Sequence, residues 1–179
     1  LGGIKEFPAN IKKQLGRKSR QQVLGTLTDV YREEAQLYEG VAELIKQLIA
    51  QKDIRVGLVT RNVSHEPQIT MEKLFARHDI DISELDYFAH VPIRASKADF
   101  FKAARKHFDI NPARAYACGD EHKDYHAALT AGIYPFVVSY GFEDFKRLTK
   151  KFEVPEEVIS RTPQELCVRI RHALDLTDN

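Results

Sequence analysis

No apolar stretch in these 179 residues is longer than a strand. The longest, such as "PFVVSY" at 135–140, fall far short of the roughly 20 residues needed to cross a bilayer. Cysteine is scarce: Cys118 and Cys167 lie far apart and neither has a CxxC partner. Two buried free thiols in a reducing, cytoplasmic setting are therefore expected. An excess of either charge is missing too, since 27 Lys plus Arg face 26 Asp plus Glu for a net charge of +1. No global field draws the chain to polyanions, so neither nucleic acid nor membrane is an expected partner. The cationic N-terminal segment has no apolar run behind it and does not read as a signal peptide. The first residue is Leu1 rather than Met, and residues upstream of it are expected. With no internal repeat and no low-complexity linker, the length suits one domain of ordinary size and a small appendage.

Apolar periodicity divides what is present into helices and short strands. Residues 9–22 and 27–50 read as helical, with Gly25 breaking the first region. Gly40 precedes "VAELIKQLIAQ", where Val41, Leu44, Ile45 and Leu48 recur at helical spacing. "DIRVGLVTRN" predicts a short buried strand through Val56, Leu58 and Val59, stopped by Thr60, Arg61 and Asn62. "QITMEKLFARHDI" predicts an amphipathic helix through Ile69, Leu74 and Phe75, and "LDYFAHV" a second strand. "KADFFKAARKHFDI" follows as a helix whose apolar side carries Phe100, Phe101, Ala104 and Phe108. "ARAYACGD" and "YPFVVSY" are the third and fourth strands. Between them "KDYHAALTAG" reads as a core helix apart from its polar start, stopped by Gly132. "PQELCVRIRHAL" closes the chain as an amphipathic helix. Such alternation predicts an α/β fold, a Rossmann-like parallel sheet with helices on both faces. The helical first 40 residues read as a separate piece packed beside the sheet.

Two strand ends are chemically unusual. In "YACGDEHKDYHAA" (116–128) a short apolar run gives way to Asp120, Glu121, His122, Asp124 and His126. Like charges so close need a cation, a hydrogen-bond partner or open water. Ligands of open parallel sheets bind at the carboxyl ends of strands. There, Thr60 offers a hydroxyl with the backbone that follows it, Lys97 opens a helix after "PIRAS", and Asp120 and Asp124 form a pair. Hydroxyl, backbone amides and Lys suit a phosphoryl group, and paired carboxylates suit a hard cation such as Mg²⁺. Blander readings stand beside these: helix-start acids at 120 and 124, a strand-ending Thr60, a solvated Lys97. His122 and His126 have a spacing that could bind zinc but show no third ligand. One is expected to flank the metal site and the other to pack on the helix.

In this order the elements resemble the haloacid dehalogenase superfamily of phosphohydrolases. Its second motif is a strand ending in Thr or Ser, here Thr60 in "VGLVTRN"; its third is a Lys at a helix start, here Lys97. Its fourth is an acidic pair after a strand, here Asp120 and Asp124 in "GDEHKDYHAA". "ALTAGIYPFVVSYGF" is similar to the family's Ala-Gly turn into its last strand, and the likeness spans roughly residues 38–174. Residues 1–38 resemble the family's small α-helical cap, and 39–179 its α/β core lacking the first strand. That strand ends in Asp-x-Asp and supplies the nucleophile, whereas the only Asp before residue 50 here is Asp29, in helical "TLTDVYREE". Family members also commonly carry Lys-Pro near the third motif. Here Ala98 follows Lys97, which lies slightly nearer Asp120 than usual, so Arg94 competes as the phosphate-binding cation.

The resemblance implies a Mg²⁺-dependent phosphatase acting on a small phosphorylated metabolite. An Asp of the first motif would attack phosphorus, and water would cleave the resulting aspartyl-phosphate. Mg²⁺ would be held by Asp120, with Asp124 oriented through water. Thr60, Arg61 and Asn62 would bind the phosphoryl group, and Lys97 would stabilise it together with the nucleophile. The run Lys12, Lys13, Arg17, Lys18 and Arg20 is a solvated helix face or, alternatively, faces an anionic substrate from the cap. A nucleophile-free binding module is the reading from another class. A phosphate-receiving signalling domain has its acidic pair first in the chain, opposite to the order here. A halide-removing enzyme remains open on the same scaffold, although it need not have the metal pair. The family's nucleophile strand lies between those ending at Thr60 and Asp120. Strands 55–60 and 114–119 should therefore not pair directly; direct pairing would favour the binding module.

Overall fold

The computed structural model describes residues 2–3, 20–61, 64–92 and 94–176, with the backbone alone at 20–24 and 27. The expected helix over 9–19, the side chains of the N-terminal cationic run and Asn62 lie outside the described residues. Helix α1 (Arg20–Glu34) runs unbroken through Gly25, contrary to the expected break. A mid-helix glycine costs only about 1 kcal/mol against alanine, and the docking of α1 outweighs it. Arg32 donates to Thr70 Oγ1 at 3.2 Å and to the His65 carbonyl at 2.8 Å, while the His65 N–H donates to Thr28 Oγ1 at 2.7 Å. Nor is 27–50 one helix. The chain leaves α1 at Ala35, and strand β2 (Gln36–Leu37) pairs antiparallel with β1 (Gly2–Gly3). Gly40 then takes φ 77, open to glycine without strain, and α2 (Val41–Ile49) begins.

The α/β class is what the chain adopts. β3 (Gly57–Thr60) pairs parallel with β4 (Tyr87–His90), placing Thr60 opposite His90. β5 (Tyr116–Gly119), β6 (Tyr134–Val138) and β7 (Ile159–Ser160) form a second parallel sheet in that order. Among the described residues β3 and β5 share no ladder, and each has one edge without a partner strand. Leu58, Val59 and Thr60 are accordingly half-buried, not buried as the pattern implied. β7, two residues long, left no period in the sequence to detect.

Helices α3 (Pro67–Ala76), α4 (Lys97–His107), α5 (His122–Ala131) and α6 (Pro163–Ala173) complete the fold. Val41, Leu44 and Ile45 pack with Met71, Leu74, Phe75, Ile80 and Cys167 in the largest core cluster. α3 turns Thr70 and Met71 inward, so Ile69, expected in the core, is 38% exposed. α4 buries only Ala98 fully, and its phenylalanines are half-buried. α5 buries Asp124, Ala127, Ala128 and Ala131 but leaves Leu129 half exposed, and Gly132 at φ 68 ends it. A helix buried on one side only is what an outer layer over a sheet requires. Both cysteines are free. No helix among the described residues is long and apolar enough to cross a membrane.

Candidate active site

The site is assembled at the carboxyl ends of β3 and β5. β5 runs out at Gly119, and a Cβ there would fall on the Asp124 carboxylate. Glycine thus lets the first turn of α5 fold back against the strand end. Asp124 is 6% exposed and uses both oxygens: Oδ1 lies 2.6 Å from Lys97 Nζ, and Oδ2 accepts the Asp120 N–H at 3.2 Å. A carboxylate so deep needs such partners, because an unpaired buried charge is costly. Lys97 is the first residue of α4, whose start is fixed by Ser96 accepting the Ala98 N–H.

Asp120 is held differently. Its Oδ2 accepts the Phe142 N–H at 2.8 Å, and its carbonyl accepts the Glu143 N–H at 3.2 Å. Oδ1 makes no hydrogen bond among the described residues. The donor chemistry fits a hard cation of the Mg²⁺ type, which takes one or two protein carboxylates and fills its other positions with water and substrate oxygens. Asp120 would contact it through Oδ1, and Asp124, already committed to Lys97, would act through water. No cluster of three potential metal ligands occurs among the described residues, so the zinc reading of His122 and His126 has no third partner. His122 instead stacks on Phe152, with ring centres 3.5 Å apart, and its Nδ1 lies 3.0 Å from both Glu143 oxygens.

Arg61, Lys97, His122, Asp124 and His126 line one open cavity of about 280 Å³. Arg61 donates to the Ala95 carbonyl at 2.7 Å, while its buried Nε has no hydrogen-bond partner among the described residues. That orphaned cationic donor beside Lys97 is suited to an anion. Thr60 ends β3 immediately before Arg61 and is half-buried. Arg94 is exposed and makes no ion pair among the described residues. Of the two competing cations, Lys97 lines the cavity and pairs with Asp124, and Arg94 is not among the cavity's lining residues.

Burial, then the charges of Asp124 and Asp120, push the Glu121 carboxyl above its ordinary range. Burial pushes the Cys118 thiol up to about 12, and Asp120 and Asp124 add to the effect, so this cysteine stays neutral. Burial followed by Asp120's charge also raises the hydroxyls of Tyr31, on α1, and Tyr38. Tyr38 donates to the Tyr140 carbonyl at 3.0 Å. Sequence reasoning missed Tyr31, Tyr38 and Glu143. The tyrosines belong to no motif, and an acid in "GFEDF" reads as a solvated loop charge.

Comparison with known proteins extends the picture. The family model of haloacid dehalogenase-like hydrolases matches residues 5–138. A protein assigned as a phosphoglycolate phosphatase from Lactobacillus delbrueckii subsp. bulgaricus is 20% identical, with a TM-score of 0.62, over 85% of this chain and 64% of that one. This chain thus spans less than two thirds of that protein's structure. A predicted phosphatase from Clostridium acetobutylicum is 17% identical, with a TM-score of 0.59, over 95% of this chain and 78% of that one. A haloacid dehalogenase-like family hydrolase from Streptococcus pneumoniae is 20% identical, with a TM-score of 0.61, over 92% and 77%. At these identities the likeness establishes the fold. Comparison with curated proteins returns no match.

Proposed function

Because the chain belongs to the haloacid dehalogenase-like hydrolase family, we propose that the protein is a Mg²⁺-dependent phosphatase of a small organic phosphate. The observation that carries this reading is the 2.6 Å Lys97–Asp124 pair, which lines a cavity with Arg61 and whose Asp124 also accepts the Asp120 N–H. Cationic donors for phosphoryl oxygens line that cavity, and Asp120, one hydrogen bond from Asp124, keeps a carboxylate oxygen open for a cation. Phosphatase names among the structural neighbours support the same class of substrate.

The nucleophile is an Asp on a strand between β3 and β5, supplied from outside residues 1–179. The edges of β3 and β5 that have no partner strand among the described residues support it. Each buried orphan backbone group costs about 1–3 kcal/mol, and a central parallel strand has such groups along both edges. A net stability of about 5–15 kcal/mol could not absorb many of them. Direct pairing of β3 with β5 would have favoured the nucleophile-free binding module; the lack of a ladder between them among the described residues supports the enzyme reading.

The Asp oxygen attacks phosphorus, the ester P–O bond breaks, and the leaving oxygen takes a proton from the second Asp of the same Asp-x-Asp, which recovers one from the attacking water in the next step. Water then cleaves the aspartyl-phosphate to release inorganic phosphate and restore the carboxylate. Thr60, with the backbone of Arg61 and Asn62, orients the phosphoryl oxygens. Lys97 neutralises charge on them and on the nucleophile, while Asp124 holds its ammonium in place. Mg²⁺, when bound at Asp120, would supply charge stabilisation on the phosphoryl oxygens. In this reading α1, whose Tyr31 feels the Asp120 charge, belongs to a helical cap, and the free thiols suit a cytoplasmic setting. Phosphate release from a panel of small phosphate esters by the intact protein, with and without Mg²⁺, tests the proposal; no release from any ester would contradict it.

A further inference from the structure

Past β6 the chain folds back over the acidic strand end as a short strap, Tyr140 to Glu143. The Phe142 N–H donates to Asp120 Oδ2 at 2.8 Å and the Glu143 N–H to the Asp120 carbonyl at 3.2 Å. A Cβ at Gly141 would fall on the Asp120 side chain, so the strap lies flat against it. The Phe142 ring is 69% exposed, so burial of that side chain does not hold the strap down.

Glu143 can. Its side chain is 2% exposed, a placement tolerable only when the carboxylate lone pairs are filled. One oxygen accepts the backbone N–H of His122, the first residue of α5, at 2.7 Å. Both oxygens lie 3.0 Å from His122 Nδ1, and Arg147 Nε approaches to 3.2 Å. Strap and helix start are thus tied on both sides of Asp120: through Phe142 to its carboxylate, and through Glu143 to the residue two positions on.

We propose that Glu143 is a positioning residue for Asp120. By anchoring the strap to the start of α5 it keeps the Phe142 N–H on Oδ2, which fixes the rotation of the carboxylate and presents Oδ1 in one direction. The proposal rests on reading Asp120 as the carboxylate that meets Mg²⁺. Partners that orient a metal ligand typically matter about 10–100-fold in affinity or activity.

The test uses the intact protein and Mg²⁺ alone as the probe, with binding measured calorimetrically and unfolding followed by circular dichroism. Glu143→Ala is expected to weaken Mg²⁺ binding about tenfold. Glu143→Gln, which keeps the volume and one acceptor, should weaken it less than alanine does. The KM for ester at saturating Mg²⁺ should move little. Should the alanine variant fail to fold, the glutamine variant decides alone. A lowered melting temperature with Mg²⁺ affinity unchanged would overturn the positioning role and leave Glu143 a stability residue. Asp120→Asn is the reference. If it abolishes Mg²⁺ binding while both Glu143 variants bind normally, the positioning role fails and the functional reading stands. If it leaves binding intact, both fail.

Discussion

Lys97 and Asp120 carry the site in different ways, and their variants should separate accordingly. Asp120→Asn removes one of few charged ligands available to a hard cation. At several kcal/mol of charge stabilisation, turnover should fall by about three decades, with the fold retained in circular dichroism. Lys97→Ala also strands a carboxylate that is 6% exposed. An unpaired buried charge costs about 3–5 kcal/mol, so this variant should lose both activity and melting temperature. Pairing Lys97→Met with Asp124→Asn should recover part of the stability and none of the activity. Arg94, exposed and without an ion pair among the described residues, should change stability by less than about 0.5 kcal/mol when cut to alanine. If Arg94→Ala lowered turnover more than Lys97→Ala, the site would have been assigned the wrong cation. Glu121 supplies a pH test. Its carboxyl is raised by burial and by its acidic neighbours, so the folded state binds its proton more tightly than the unfolded chain does. The stabilising protonated form is present below the ordinary value of 4.5 and lost as pH rises through the raised one. In metal-free buffer Glu121→Gln should therefore melt higher than wild type at pH 7, with the gain vanishing below about pH 4.5; an equal gain at both pH values would refute the assigned cause.

At the scale of elements, α1 is the piece whose docking can be tested alone. Arg32 ties it to the start of α3 through Thr70, His65 and Glu66. Arg32→Ala should cost about 1–3 kcal/mol and speed amide exchange in α1 before it affects β5 and β6. Uniform acceleration would mean that α1 is no separable unit. Much of this layer was legible in the sequence. The strands at Thr60, Gly119 and Val138 each end a short apolar run against a polar or small residue, and the α/β class followed from their alternation with helices. Other features were decided by contacts that no local pattern contains. Gly25 stays helical because α1 docks, and Ile69 is exposed because α3 presents Thr70 and Met71 instead. Thr60, Lys97, Asp120 and Asp124 stood out in the sequence because phosphoryl chemistry needs particular residue types at strand ends and helix starts, and the structure pairs Lys97 with Asp124. Glu143 was not, since its partner His122 lies 21 positions away and nothing in "GFEDF" marks that acid as buried.

For the whole molecule, the central claim is that both strand ends serve one phosphoryl group and one hard cation. The two parallel sheets, the edges of β3 and β5 that have no partner strand among the described residues, and the cavity shared by Arg61, Lys97 and Asp124 all bear on it. A net charge of +1 adds no long-range attraction, so binding of an anionic substrate falls to these local cations and should weaken little with salt. The most direct measurement is phosphate release from small esters by the intact protein, titrated with Mg²⁺ for wild type and Asp120→Asn in parallel. Release should require Mg²⁺, stop with a chelator and be lost in the variant. Release that is indifferent to Mg²⁺, or equal in the two proteins, would contradict it.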